Sequence, residues 1–220
     1  MVEATGNGRL ERDARLGVIA QAFRLEYITV AWMVVEATVA IASGLAAASI
    51  TLIAFGLDSV IELLSALVLI WRLRVELRQG RELAESAERK ARRIGAVLLF
   101  ALAVYVVIAA GWSLWTGKGE EFSWPGLLVS VAALPIMWIL ARRKLVAAAA
   151  LGSRALRADA VESITCGWLS LVVVVGLVAQ WVTDAWWVDA VTSLGIVYFL
   201  VKEGREAWLE DECCASDGGG

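Results

Sequence analysis

The chain has 220 residues, 60% of them hydrophobic, a mean hydropathy of +0.71 and a net charge of −3. A soluble domain of this length must keep a polar surface and could not hide that much apolar side chain, and nothing in the slightly acidic net charge suggests nucleic acid. Histidine is absent, which excludes His-dependent triads, HExxH zinc sites and haem attachment motifs.

The apolar residues fall in six long runs, and runs of about 18 residues or more read as membrane-spanning helices. Residues 1–24 form a polar N-terminal segment. The first span is expected from Glu26 to Ser43, the second from Ile50 to Trp71, and the third from Ile94 to Thr116. The fourth is expected from Trp124 to Leu140, the fifth from Asp159 to Trp181, and the sixth from Trp186 to Val201. The runs are continuous rather than alternating, so they predict helices and not barrel strands. The expected fold is therefore an all-α integral membrane protein, with residues 25–208 forming one six-helix domain. The acidic tail 209–220, which holds Cys213 and Cys214, is expected to be disordered.

Charge gives the topology. Every basic residue except Lys118 falls before the first span, between the second and third, between the fourth and fifth, or after the sixth. The positive-inside rule then places both termini in the cytoplasm. The stretch Arg72 to Arg93 alternates arginine with glutamate and reads as a solvated helical extension with i,i+4 ion pairs. Trp112, Trp115, Trp124, Trp181, Trp186 and Trp187 gather at the opposite boundary, where indoles favour the headgroup zone. Trp32, Trp138 and Trp168 are deeper and read as packing residues. Pro135 is expected to kink the fourth helix. Gly44, Gly56, Gly111, Gly167, Gly176 and Gly195 are expected to admit close helix contacts.

The chemistry rests on acids inside the spans. Glu36 lies mid-span in the first helix, Asp58 and Glu62 in the second, and Glu162 in the fifth. Asp159 lies at the inner end of the fifth helix and Asp189 at the outer end of the sixth. No Lys or Arg falls in the core of any expected span. A carboxylate at the bilayer centre costs at least about 2.5–3.5 kcal/mol, so it should face the bundle interior with a partner. That partner is then a proton, a polar group, water or a mobile cation. Asp58 and Glu62 are four apart and share a helix face, and Glu162 and Cys166 repeat the spacing. Two facing pairs offer four ligands, the number a tetrahedral divalent metal takes. Asp159 reads equally as a helix cap or a cytoplasmic gate, Glu36 as a proton relay or an interhelical hydrogen-bonder, and Asp189 as a helix-start residue or part of an exit.

Three segments also carry a resemblance. Phe55-Gly56-Leu57-Asp58-Ser59-Val60-Ile61-Glu62-Leu63-Leu64-Ser65 resembles the second-helix motif of the cation diffusion facilitators. Leu156-Arg157-Ala158-Asp159-Ala160-Val161-Glu162, running on to Cys166, resembles their fifth-helix motif, and Trp187-Val188-Asp189-Ala190 the start of their sixth helix. The resemblance covers the transmembrane domain only. It implies a homodimeric exporter of a divalent metal ion in exchange for protons, with the transport site at Asp58, Glu62, Glu162 and Cys166. The chain departs from that pattern in Glu162, where the family usually has His or Asp, and in Cys166, where it has Asp.

Carboxylates alone suit hard ions, while a thiolate tilts the set toward softer ones, so the expected cargo is Zn, Co, Cd, Fe or Mn. Metal and proton compete for the same lone pairs, and that competition would couple metal movement to proton counterflow. The expected partners are thus the metal ion, protons, the lipid bilayer and a second copy of the chain, with no prosthetic group. The arginine bias and compact loops suggest a bacterial inner membrane. The rival reading is a non-transporting membrane scaffold or regulatory subunit that keeps a degenerate metal site. No nucleophile–base pair is apparent, so an enzyme is not expected.

Overall fold

A computed structural model describes the backbone of residues 2–79, 81–117 and 121–216, and side chains over 17–71, 74, 93–117, 121–153, 156–206 and 208. Six α-helices follow one another: α1 (Val2–Ala47), α2 (Ile50–Gln79), α3 (Arg81–Thr116), α4 (Trp124–Leu151), α5 (Arg154–Thr183) and α6 (Val188–Ser216). Five of them contain stretches long and apolar enough to cross a membrane: Gly17–Ala47, Ile50–Trp71, Arg93–Thr116, Trp124–Leu151 and Leu156–Thr183. Among its described residues, the sixth does not qualify on length and composition. Its apolar run ends at Val201 and is followed by Lys202, Glu203, Arg205 and Glu206. The six expected spans thus become six helices with five clear spans.

Helix α6 still belongs to the bundle, because it packs along α3, α5 and α2. Helix α2 touches α1, α3, α5 and α6, which puts it at the centre. Its apolar stretch is 50% buried, against 33–39% for the other four. Small residues make this packing possible. A Cβ on Gly44 would stand 2.8 Å from Ile53, and one on Gly56 would stand 2.6 Å from Ile41. The two glycines therefore bring α1 and α2 together with backbones nearly touching. Gly176 of α5 leaves room for the Thr192 side chain of α6. Gly111 makes no such contact: nothing lies within 4 Å of the place a Cβ would take.

Local signals set the helix ends. The Ser123 hydroxyl accepts from the Gly126 amide at 3.2 Å and opens α4. That helix runs unbroken through Pro135 and past the expected end at Leu140, closing at Gly152 with φ 62°. The segment Leu145 to Leu156, which the alanine content predicts as helix, is thereby split at Gly152. Ser153 caps α5 by accepting from the Leu156 amide at 3.3 Å, a standard use of serine at that position. Asp159 lies further along α5, so the capping role expected for it falls to Ser153. Helix α6 carries helical backbone to Ser216, into the tail expected to be disordered. The side chains of Cys213 and Cys214, and most of those in the charged stretch 72–93, lie outside the described residues.

At the end of the bundle holding the α4 N-terminus, Phe122, Trp124 and Trp181 form a ring cluster with centroids 5.0–6.5 Å apart. Trp138 and Trp168 are exposed on the bundle surface rather than packed inside it, with the Arg142 guanidinium 4.9 Å over the Trp138 ring.

Candidate transport site in the helical bundle

Helix α2 presents Asp58 and Glu62 on the face turned toward α5 and α6, with 5% and 7% of each residue exposed. They line a cavity of about 40 Å³ together with Glu162 of α5 and Glu203 of α6. Ser65 adds a hydroxyl, and Ile61, Leu99, Gly95 and Ala96 supply apolar walls. Three of the four residues expected to share a site are therefore gathered at one space. The i,i+4 spacing makes this legible for α2, because two side chains one turn apart must face the same neighbour.

Cys166 stands to one side. It is buried, and its thiol donates to Glu36 Oε1 at 3.6 Å. The same carboxylate accepts from the Ser59 hydroxyl at 2.7 Å and, through Oε2, from the Trp32 indole at 2.6 Å. Glu36 thus makes interhelical hydrogen bonds, one of its two expected roles, tying α1 to α2 and α5. Trp32, expected only to pack, orients it. Glu36, Glu62 and Asp58 are all close enough to Cys166 to act on it electrostatically, so the thiol adjoins the acidic cavity without lining it. Among the described residues, no group of three His, Cys, Asp or Glu side chains converges closely enough to form a ready metal cluster. The expected four-ligand cage is therefore not assembled as a closed shell.

Glu203 escapes a reading of the sequence. It lies beyond the apolar run of α6 and reads there as one solvated charge among several. The signal that could have found it is the glycine that follows. A Cβ on Gly204 would stand 3.2 Å from the Phe100 ring, so this stretch of α6 packs tightly on α3.

A second buried cluster corrects the sequence reading. Lys144, expected in a cytoplasmic loop, lies inside α4 and is fully buried. Its ammonium sits 2.5 Å from Asp159 Oδ2 and 3.5 Å from Glu26 Oε2. A resident cation therefore does exist within the bundle, contrary to the expectation that no basic side chain reaches the span cores. The error comes from ending the fourth helix at Leu140, where Arg142, Arg143 and Lys144 look like a loop. Helical geometry instead turns Lys144 inward while the two arginines stay exposed. Lys144 also donates to the Ser163 hydroxyl at 3.4 Å, and that hydroxyl lies 3.5 Å from Glu62 Oε1. Ser163 thus links the Lys144 cluster to the cavity.

Asp189 has a third role. It sits in the first turn of α6, as expected, but its carboxylate reaches across to α2. Oδ1 accepts from the Ser49 hydroxyl at 2.5 Å, and Oδ2 from the amides of Ile50 and Thr51 at 2.9 and 3.2 Å. A negative charge at a helix N-terminus satisfies orphan amides and complements the helix dipole. Asp189 therefore caps α2 from another helix and fixes its start.

The model of one family, described as the cation efflux transmembrane domain, matches residues 27–210. No curated protein matches the chain. The matched segment runs from α1 into α6 and holds every residue of both acidic clusters except Glu26, which immediately precedes it. The chain belongs to the cation efflux family, whose members are membrane transporters and not enzymes.

Proposed function

We propose that this protein moves a divalent metal cation across the bilayer through the cavity framed by Asp58, Glu62, Glu162 and Glu203. The observation that carries the reading is the convergence of carboxylates from three helices on one small space inside an apolar bundle. Carboxylates are costly there, and a dipositive ion is the partner that offsets several of them at once. Lys144 does not take that role, because its ammonium lies against Asp159 and Glu26.

Proton coupling follows from the same chemistry. A carboxylate binds either a proton or the metal through the same oxygen, so metal entry displaces protons and metal exit restores them. Alternating exposure of the cavity to the two sides would turn this exchange into antiport. Glu36, bonded to the Cys166 thiol and adjoining the cavity, is the group best placed to receive such a proton. The arginine distribution supports cytoplasmic termini, with α6 completing an even number of crossings. The working unit is a homodimer, and the setting is a bacterial inner membrane with metal leaving the cell.

The test uses purified protein in liposomes with an imposed pH gradient and a metal-sensitive dye inside. Metal uptake should follow the gradient and should be lost in Asp58→Asn. Uptake by neither protein, together with unchanged metal content in cells expressing either one, would favour a non-transporting membrane scaffold.

A further inference from the structure

We infer that Glu203 is a metal ligand of the transport cavity, and that the cavity's all-oxygen lining makes its cargo a hard divalent cation of the Mn²⁺ type. The inference rests on the transport reading above and names the class of ion. Its first support is the donor set. Every polar side chain lining the cavity offers oxygen: the carboxylates of Asp58, Glu62, Glu162 and Glu203, and the Ser65 hydroxyl. Nitrogen from imidazole is not available, because the chain has no histidine. The Cys166 thiol does not line the cavity; it donates to Glu36 and borders Glu62 from behind the lining. Oxygen-only sites suit Mg²⁺, Ca²⁺ and Mn²⁺, whereas thiolate and imidazole draw Zn²⁺ and Cd²⁺.

The second support is Asp58. It is 5% exposed, lines the cavity, and makes no hydrogen bond or ion pair among the described residues. A buried carboxylate in that condition calls for a ligand, since an unsatisfied buried charge is expensive. Glu203 lines the same cavity from α6, beside Asp58, Glu62 and Glu162. Four carboxylates concentrated this way repel one another unless a cation or protons intervene.

Size narrows the class further. One water needs roughly 10–15 Å³ of such space, so a cavity of about 40 Å³ holds an ion with only a few waters. Mg²⁺ gives up its waters reluctantly and is usually bound with several retained. Mn²⁺ accepts the same oxygen donors, and the cavity favours the ion that sheds more of its water. Glutamate side chains have the rotamer freedom to close on such an ion from two helices.

The experiment measures Mn²⁺ binding to the full chain in lipid nanodiscs by loss of the free-ion electron paramagnetic resonance signal, with Cd²⁺ and Mg²⁺ as competitors. Wild type should bind Mn²⁺, with Cd²⁺ displacing it no better than equal concentrations of Mn²⁺. Glu203→Gln should weaken Mn²⁺ binding at least tenfold. Glu203→Cys should shift the Cd²⁺ to Mn²⁺ preference at least tenfold toward Cd²⁺, a change that damaged folding would not produce. If both Glu203 variants bind like wild type while Asp58→Asn loses Mn²⁺, the cavity is the site and Glu203 is not its ligand. If Asp58→Asn also binds like wild type, the cavity is not a metal site and the transport reading falls with the inference.

Discussion

Asp159 and Glu162 stand three residues apart on α5, yet they serve two different clusters, the first buried and the second half-buried. Asp159 joins Glu26 around Lys144, so one ammonium spans two carboxylates from different helices. Glu162 joins Asp58, Glu62 and Glu203 around a space. The first cluster carries its countercharge within the chain and is closed. The second frames a cavity of about 40 Å³, the space through which we propose the ion passes. The comparison teaches that acidity in a span is not by itself a transport signal: the same helix face can feed an acid into a lysine ion pair or into the wall of a cavity.

Four substitutions would break or sharpen that contrast. The largest effect is expected from Lys144→Ala, which strands Glu26 and Asp159 in the bundle. Removing one partner of a buried ion pair costs about 3–5 kcal/mol, and a thermal melt in detergent should show it. Replacing all three with Glu26→Gln, Lys144→Met and Asp159→Asn should recover much of that loss, since no charge is then buried alone. A melt of Lys144→Ala equal to wild type would mean the first cluster is not a structural tie.

Asp58→Asn should do the reverse. Its melting temperature should match or exceed that of wild type, because one of four repelling charges is gone, while metal transport falls at least about tenfold. Equal losses of stability and transport would erase the distinction between the clusters.

Asp189→Ala tests the cap that starts α2. Loss of a capping side chain costs about 0.5–2 kcal/mol, so a modest drop in melting temperature is expected, with transport reduced only as far as the start of α2 shifts. Cys166→Ser should have the smallest effect. Serine can still donate to Glu36, so transport and ion preference should stay within about threefold of wild type, an energy difference under about 1 kcal/mol. A loss of transport as large as that of Asp58→Asn would return the thiol to the ligand set.

Much of this organisation is legible in the residues themselves. Glu62 follows Asp58 by one helical turn, so the two have to share a face. Gly44 and Gly56 are readable as close-contact positions, and they do bring α1 against α2. Lys144 is easily misplaced because a run of Arg-Arg-Lys looks like the end of a span, although one residue of three can turn inward on a helix. Glu203 is hidden because it follows Lys202 in a charged stretch. Spacing groups Cys166 with Glu162, but across the bundle its thiol donates to Glu36 and borders Glu62.

Hydropathy and helical period determined that this chain is a membrane-embedded helical protein with acids sunk in its spans, because apolar length and the 3.6-residue repeat are properties of the chain read one segment at a time. Which acid meets which partner was decided only by the packing of α2 against α1, α5 and α6. Such pairings join residues a hundred or more positions apart, as Ser163 to Glu62 or Asp189 to Ser49. They depend on how far each helix is rotated about its axis, and no local pattern records that rotation.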